Sequence, residues 1–249
     1  MANGYKLTAS PSGGVPDATS NAFNIDTFYV DSQGNFGTLD LPSGTATQIA
    51  AATVTGSTGI DLTPNLQLYT YSSSNQLMQI NPSTGAATPI GAGGSIPDQA
   101  ITGALTNGSY FGIDAVTGNL YSIDLTTGAT TSVGATSAAV LPVGCTIEAS
   151  LTGSASVLYY TIGYSGASCS TPMADTLYQI DPTSGSTTTI GPITVSGSGV
   201  NAFAGSTFVG GTLYGFTSDG KEYAISPATA VATFVTNTST PILAAASSQ

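Results

Sequence analysis

From Ala100 the chain alternates between apolar and polar positions at close to every second residue. "AITGALT" reads as a strand, "NGS" as a tight turn and "YFGIDA" as a second strand; "VTGN" turns again, "LYSIDL" is a third strand and "ATTSVG" a fourth. A period of two places one set of side chains on each face of a sheet, and Asn-Gly and Thr-Gly supply the positive-φ residues that hairpin turns require. No stretch carries apolar residues at i, i+3, i+4 and i+7 for more than a turn or two, so no helix is expected. The pattern predicts an all-β protein.

The same sentence recurs along the chain. "LYQIDPTSGSTTTIG" from Leu177 matches "LYSIDLTTGATTSVG" from Leu120, "LMQINPSTGAATPIG" from Leu77 and "FGTLDLPSGTATQIA" from Phe36, with a weaker echo, "EYAISPATAVATFVT", from Glu222. The turn-opening residues Asp40, Asn81, Asp124, Asp181 and Ser226 are separated by 41, 43, 57 and 45 residues. Four-stranded propeller blades repeat at about 40–45 residues. The spacing predicts a single β-propeller domain over 1–249, with units at about 16–50, 51–91, 95–134, 140–191 and 195–236. Five blades are expected, with a sixth assembled from the termini as the alternative. "GVPDATSNAF" from Gly14 resembles "SIPDQAITGAL" from Ser95, which gives the first blade its own innermost strand. "GYKLTAS" and "TPILAAASSQ" remain as terminal strands that pair with each other or with a terminal blade, closing the ring.

Charge changes the picture next. Charged residues make up 6% of the 249 residues, against about 25% in ordinary soluble domains. There are two lysines, no arginine and no histidine, and the net charge is −11. Neutralising phosphates takes a basic stripe, so a nucleic-acid partner is excluded, as is docking on an anionic membrane. No apolar run reaches the roughly 18 residues of a membrane-spanning helix. A surface of Ser, Thr, Asn, Gln and Gly in place of Lys and Glu points to a secreted, cell-surface or periplasmic protein whose signal peptide has been removed. With so few cations, little stability resides in ion pairs that acid would break, so acid tolerance is expected.

The missing residues also bound the chemistry. A serine triad, histidine-ligated zinc and guanidinium capture of anions are all excluded, and no phosphate-binding Gly-Lys-Ser/Thr loop exists. No cofactor is expected. The repeated Asp/Asn-Pro-x-x-Gly turn is explained by its own geometry, with the side chain accepting from the backbone, Pro presetting φ and Gly taking the left-handed position; no metal is expected there. If the first strand of each unit runs from top to bottom, Asp31, Asp114 and Asp219, with Asp17 and Asp98, lie on the top face, and Asp31 and Asp114 also read as turn formers. In "CTIEASLT", the innermost strand of unit four, Glu148 stands at the position of Thr102, and aligning "GIDLT" on "ITGALT" sets Asp61 at Ala104, which makes Asp61 and Glu148 candidates for a channel-mouth acid pair. The long interval holds an insertion, "GYSGASCSTPMADT", in unit four. Its Cys169 and the preceding Cys145 both fall on the top face, where a disulfide would pin the loop. Tyr164, Ser165, Met173 and Asp175 are then the candidate ligand contacts.

The repeat, read as LYxIDPxTGxxTxIG over residues 16–236, resembles that of secreted bacterial propellers of unknown function within the quinoprotein-like and surface-layer group. The resemblance implies the blade architecture. Trp is absent, so the tryptophan docking motifs of quinoproteins, and the cofactor with them, do not carry over. The expected function is a non-enzymatic scaffold that binds a protein or a glycan, with a lectin as the alternative and a carboxylate-dependent hydrolase or lyase as a further one.

Overall fold

In a computed structural model, which describes residues 27–51, 57–72, 74–92, 96, 100–105, 107–196, 198–199 and 203–247, every regular element is a strand. Blade I takes β1 (Thr27–Asp31), β2 (Phe36–Asp40) and β3 (Thr45–Ala50). Blade II is β4 (Ser57–Leu62), β5 (Leu68–Ser72), β6 (Leu77–Ile80) and β7 (Ala87–Ile90). Blade III is β8 (Ala100–Ala104), β9 (Tyr110–Asp114), β10 (Asn119–Ile123) and β11 (Thr130–Ala135). Blade IV is β12 (Thr146–Gly153), β13 (Leu158–Ser165), β14 (Met173–Ile180) and β15 (Thr187–Pro192). A short hairpin of β16 (Thr194–Val195) and β17 (Ser198–Gly199) leads to blade V, made of β18 (Phe203–Val209), β19 (Thr212–Thr217), β20 (Lys221–Ile225) and β21 (Ala232–Asn237). The last strand is β22 (Ile242–Ser247).

These form five antiparallel four-stranded sheets arranged as a ring, a five-bladed β-propeller. The innermost strands β4, β8, β12, β18 and β22 neighbour one another in turn around the axis. The ring closes through β22, which lies innermost in blade I and pairs with β1, Ala246 opposite Phe28 and Ala244 opposite Val30. Thus "ILAAAS", not a strand preceding β1, fills that position, and residues 14–23 lie outside the described residues, as do Lys6, Asp17, Asp98 and the "GYKLTAS" stretch. Small alanines suit a strand buried on both faces, and Ala244, Ala245 and Ala246 are all buried.

The five blade seams each hold one apolar cluster. Val30 and Phe36 meet Leu62, Leu68 and Ile80 between blades I and II, and Tyr71 and Leu77 meet Tyr110 and Ile123 between II and III. Ile113 and Leu120 meet Leu158, Tyr160 and Ile180 between III and IV, and Leu177 meets Phe203 and Leu213 between IV and V. Phe216 meets Tyr29, Leu39 and Ile242 between V and I. The repeated Leu-Tyr-x-Ile of the sequence supplies this packing, each fully buried side chain contributing about 1.5–3 kcal/mol.

The outer strands are edges, and an uncharged edge invites pairing with other chains. In blades I, III, IV and V the register of the outer strand shifts at Phe36/Gly37, Leu120/Tyr121, Leu177/Tyr178 and Glu222/Tyr223. Blade II shows no such shift; its outer strand carries Pro89 instead. Bulges and proline both blunt an edge without charge.

Candidate functional site

The repeated turns lie on one face of the ring, and their polar groups are occupied. Asp124 Oδ1 accepts the Thr126 and Thr127 N–H groups at 2.8 Å each, and Asp181 Oδ1 accepts Thr183 N–H at 2.7 Å and Ser184 N–H at 3.1 Å. The backbone donors at Asp124, and at Asp181 the Thr183 hydroxyl at 2.6 Å followed by its backbone donors, hold both carboxyls below the usual aspartate range. Asn81 accepts Ser83 N–H in the same way. The turns also clasp the preceding blade. A methyl on Gly128 would sit 2.7 Å from the Ile90 carbonyl of blade II, and one on Gly44 would strike the Asn237 carbonyl of blade V. The turn is therefore structural twice over.

On the opposite, top face, Asp31 and Asp114 are buried and close their own loops. Asp31 accepts Gln33 and Asn35 N–H, and Asp114 accepts Val116 and Thr117 N–H. Asp219 is exposed, accepts from Thr217 Oγ1 and pairs with Lys221, the one salt bridge among the described residues. Asp175 is not a loop contact: it lies within β14, fully buried, with Oδ2 accepting Phe203 N–H at 3.0 Å and so tying blade IV to blade V.

Asp61 and Glu148 do not converge. Asp61 pairs with Tyr69, one rung from the bottom hairpin of its blade, whereas Glu148 pairs with Gly163, five rungs from the equivalent end. At about 3.3 Å per residue this is a difference of about 13 Å along the strands. The alignment on Ala104 and Thr102 misplaced them because blade IV has longer strands than its neighbours, eight residues in each of β12, β13 and β14. Asp61 is hydrogen-bonded to the Tyr110 phenol, whose pKa is pushed well up by burial and then by the Asp61 charge. Glu148 is half-buried, accepts from Ser218 of blade V and has its carboxyl pushed up by burial.

The axis itself is nearly filled. The cavity between the inner strands, bordered by Gly59, Thr102, Ser150, Ser206 and Ala244, has a volume of about 10 Å³, far below the roughly 300 Å³ at which ligand pockets begin. Gly59 is needed there, since a side chain would meet the Thr102 carbonyl of the adjacent inner strand at 2.5 Å. A wider, shallow groove on blade V, bordered by Gly211, Ala224, Pro227 and Val231, is lined by no titratable side chain.

What stands out on the top face is blade IV. The insertion extends the β13–β14 hairpin, and Cys145 and Cys169 form a disulfide that ties its loop to the foot of β12. Gly144 packs against Ser168, leaving 2.9 Å between an added methyl and the Ser168 carbonyl. Tyr164 and Met173 pair across the hairpin and pack on the blade III–IV cluster, and Ser165 is exposed. Val143, beside the disulfide in sequence, is wholly exposed; Val140, three residues before it, and Val116 on the β9–β10 turn are also exposed.

No protein-family model matches the chain, and no curated protein matches it. Among solved structures it is similar to a chain of a nidogen/laminin complex, with 12% identity and a TM-score of 0.54 over 90% of this chain and 98% of that one. It also aligns with virginiamycin B lyase from Staphylococcus aureus (12% identity, TM-score 0.41, 80% of this chain and 65% of the lyase). A third alignment is with Myxococcus xanthus glutaminyl cyclase (11%, TM-score 0.47, 77% and 70%). At these identities the likeness is one of fold: the chain is a β-propeller.

Two residues escaped sequence reasoning. Val143 reads as an ordinary apolar residue until its exposure is seen. Glu222 had a visible signal: in the aligned repeats it stands where the others have Phe36, Leu77, Leu120 and Leu177, all buried.

Proposed function

We propose that the protein is a non-enzymatic, secreted or cell-surface scaffold, akin to the secreted bacterial and surface-layer propellers its repeat resembles, that binds a protein or glycan partner through the crest of blade IV. The carrying observation is the disulfide-pinned extension of that one blade, with Val143 wholly exposed at its foot. A rigid loop presenting apolar surface binds at low entropic cost. The acids support the same reading, since Asp31, Asp114 and Asp175 are engaged with backbone N–H groups and Asp61 and Glu148 lie at opposite ends of the inner strands. The partner's class is tested with a photo-crosslinking residue at Val143 and, as control, at Thr183 on the opposite face, exposed to the extracellular proteins of the source cells, alongside a glycan array. Adducts from Val143 alone are expected for a protein partner, and a discrete glycan hit that is lost on reduction of the disulfide for a glycan. Adducts from Thr183 alone, or a turnover activity abolished in Glu148→Gln, would overturn the reading.

A further inference from the structure

Glu222 occupies a core position. It lies at the start of the third strand of blade V, where the corresponding residues of the other blades are Phe36, Leu77, Leu120 and Leu177, each fully buried. Its own exposure is 0%, and neither carboxylate oxygen has a hydrogen-bond partner among the described residues. Its cross-strand neighbour is Phe216, which belongs to the blade V–I cluster with Tyr29, Leu39 and Ile242.

This seam differs from the other four in that β22 leaves blade V and completes blade I, so the ring stays shut only while β22 is paired with β1. Across the seam the charge that acts on Glu222 is Asp40, on the blade I turn that clasps blade V; β1 carries the titratable Tyr29 and Asp31, and β3, β21 and β22 contribute no titratable side chain. On its own blade there are Tyr214, Tyr223 and Lys221, the last engaged with Asp219. No cation faces it among the described residues, and no group of three metal-ligating side chains occurs among them.

We propose that Glu222 makes the blade V–I seam a pH-sensitive latch, closed while the carboxyl is protonated and loosened when it ionises beside Asp40. A leucine there would serve packing alone; the carboxyl makes that packing conditional. Burial, and then the Asp40 charge, push the carboxyl up to about 7. An unfolded glutamate titrates near 4.3. Below that value both states are protonated and the seam is at full strength. Between it and about 7 the folded state keeps a proton that the unfolded chain has shed, so stability falls as pH rises, and above about 7 the loss is complete.

The test compares wild type, Glu222→Gln and Glu222→Leu at pH 5 and pH 8, by thermal melting and by amide exchange corrected for its intrinsic pH dependence. Wild type should melt about 5 °C or more lower at pH 8 than at pH 5, and exchange in β22 and β1 should quicken at pH 8 relative to β9 of blade III. In Glu222→Leu, and less completely in Glu222→Gln, both differences should vanish. Glu148→Gln, which removes the other glutamate, half-buried in blade IV, should keep the wild-type behaviour in β22. A pH difference as large in Glu222→Leu as in wild type overturns the latch. If neither Glu222 variant folds, unchanged relative exchange of β22 in wild type overturns it equally.

Discussion

At Gly128 the backbone φ is +71°, and the Cβ of any other residue would press on the Ile90 carbonyl of the preceding blade. Two penalties coincide there, a left-handed backbone and a steric clash. Gly128→Ala should therefore cost about 2–4 kcal/mol, read by denaturant unfolding. Gly210, with φ of +55° and nothing near its absent side chain, isolates the first penalty, and Gly210→Ala should cost only about 1 kcal/mol. At this scale the sequence was informative about turns and silent about contacts. The Asp-x-x-x-Gly spacing announces a turn, because the bonds it makes are local. That the same glycine docks on another blade depends on how the sheets twist, which no local pattern encodes. Glu222 is the converse case, in which comparison of the repeats exposes the anomaly but only the packed seam reveals that its oxygens have no hydrogen-bond partner among the described residues.

Among the elements, β22 carries the most consequence for its length. It completes blade I and borders the blade II and blade V inner strands. A chain ending at Thr240 should lose cooperative melting by circular dichroism, whereas removal of residues 248–249 should leave it intact. The disulfide acts locally by comparison. It closes a loop of 24 residues, and Cys145→Ser with Cys169→Ser should lower stability by about 3 kcal/mol on the chain-entropy model while preserving the five blades. The strands, hairpins and blade period were legible because alternation and Asn-Gly or Thr-Gly turns are short-range features. The donor of the innermost strand of blade I was not, because "GVPDATSNAF" and "ILAAAS" are both plausible strands and the choice rests on pairing across 220 residues, as between Thr27 and Ser247. Height along the blade was illegible too, since the extended strands of blade IV shift every alignment made through them.

For the molecule as a whole, the scarcity of charge has two opposing pH effects. Asp124, Asp181 and Asp219 have carboxyls held below the usual range, so their contribution is present at neutral pH and is lost as pH falls through those depressed values. All three are exposed, and screening by water makes that loss small. Glu222 and Glu148 have raised carboxyls and act with the opposite sign. The expected outcome is a melting temperature that climbs from pH 8 toward pH 4.5 and a native circular dichroism spectrum retained at pH 3; a midpoint that collapses at pH 3 would contradict it. With one exposed ion pair among the described residues, added salt has little specific attraction to screen.

Closure of the ring by β22 also fixes an order in time. A ribosome delivers β22 more than two hundred residues after β1, so blade I must wait, three strands wide, until that strand has been made. During that interval the β1 edge is an open template, and any alanine-rich strand that reaches it first competes for the place. Delivery of β22 is thus the step at which this protein can become a propeller, and exchange of β22 between two neighbouring chains is the error to which its architecture exposes it.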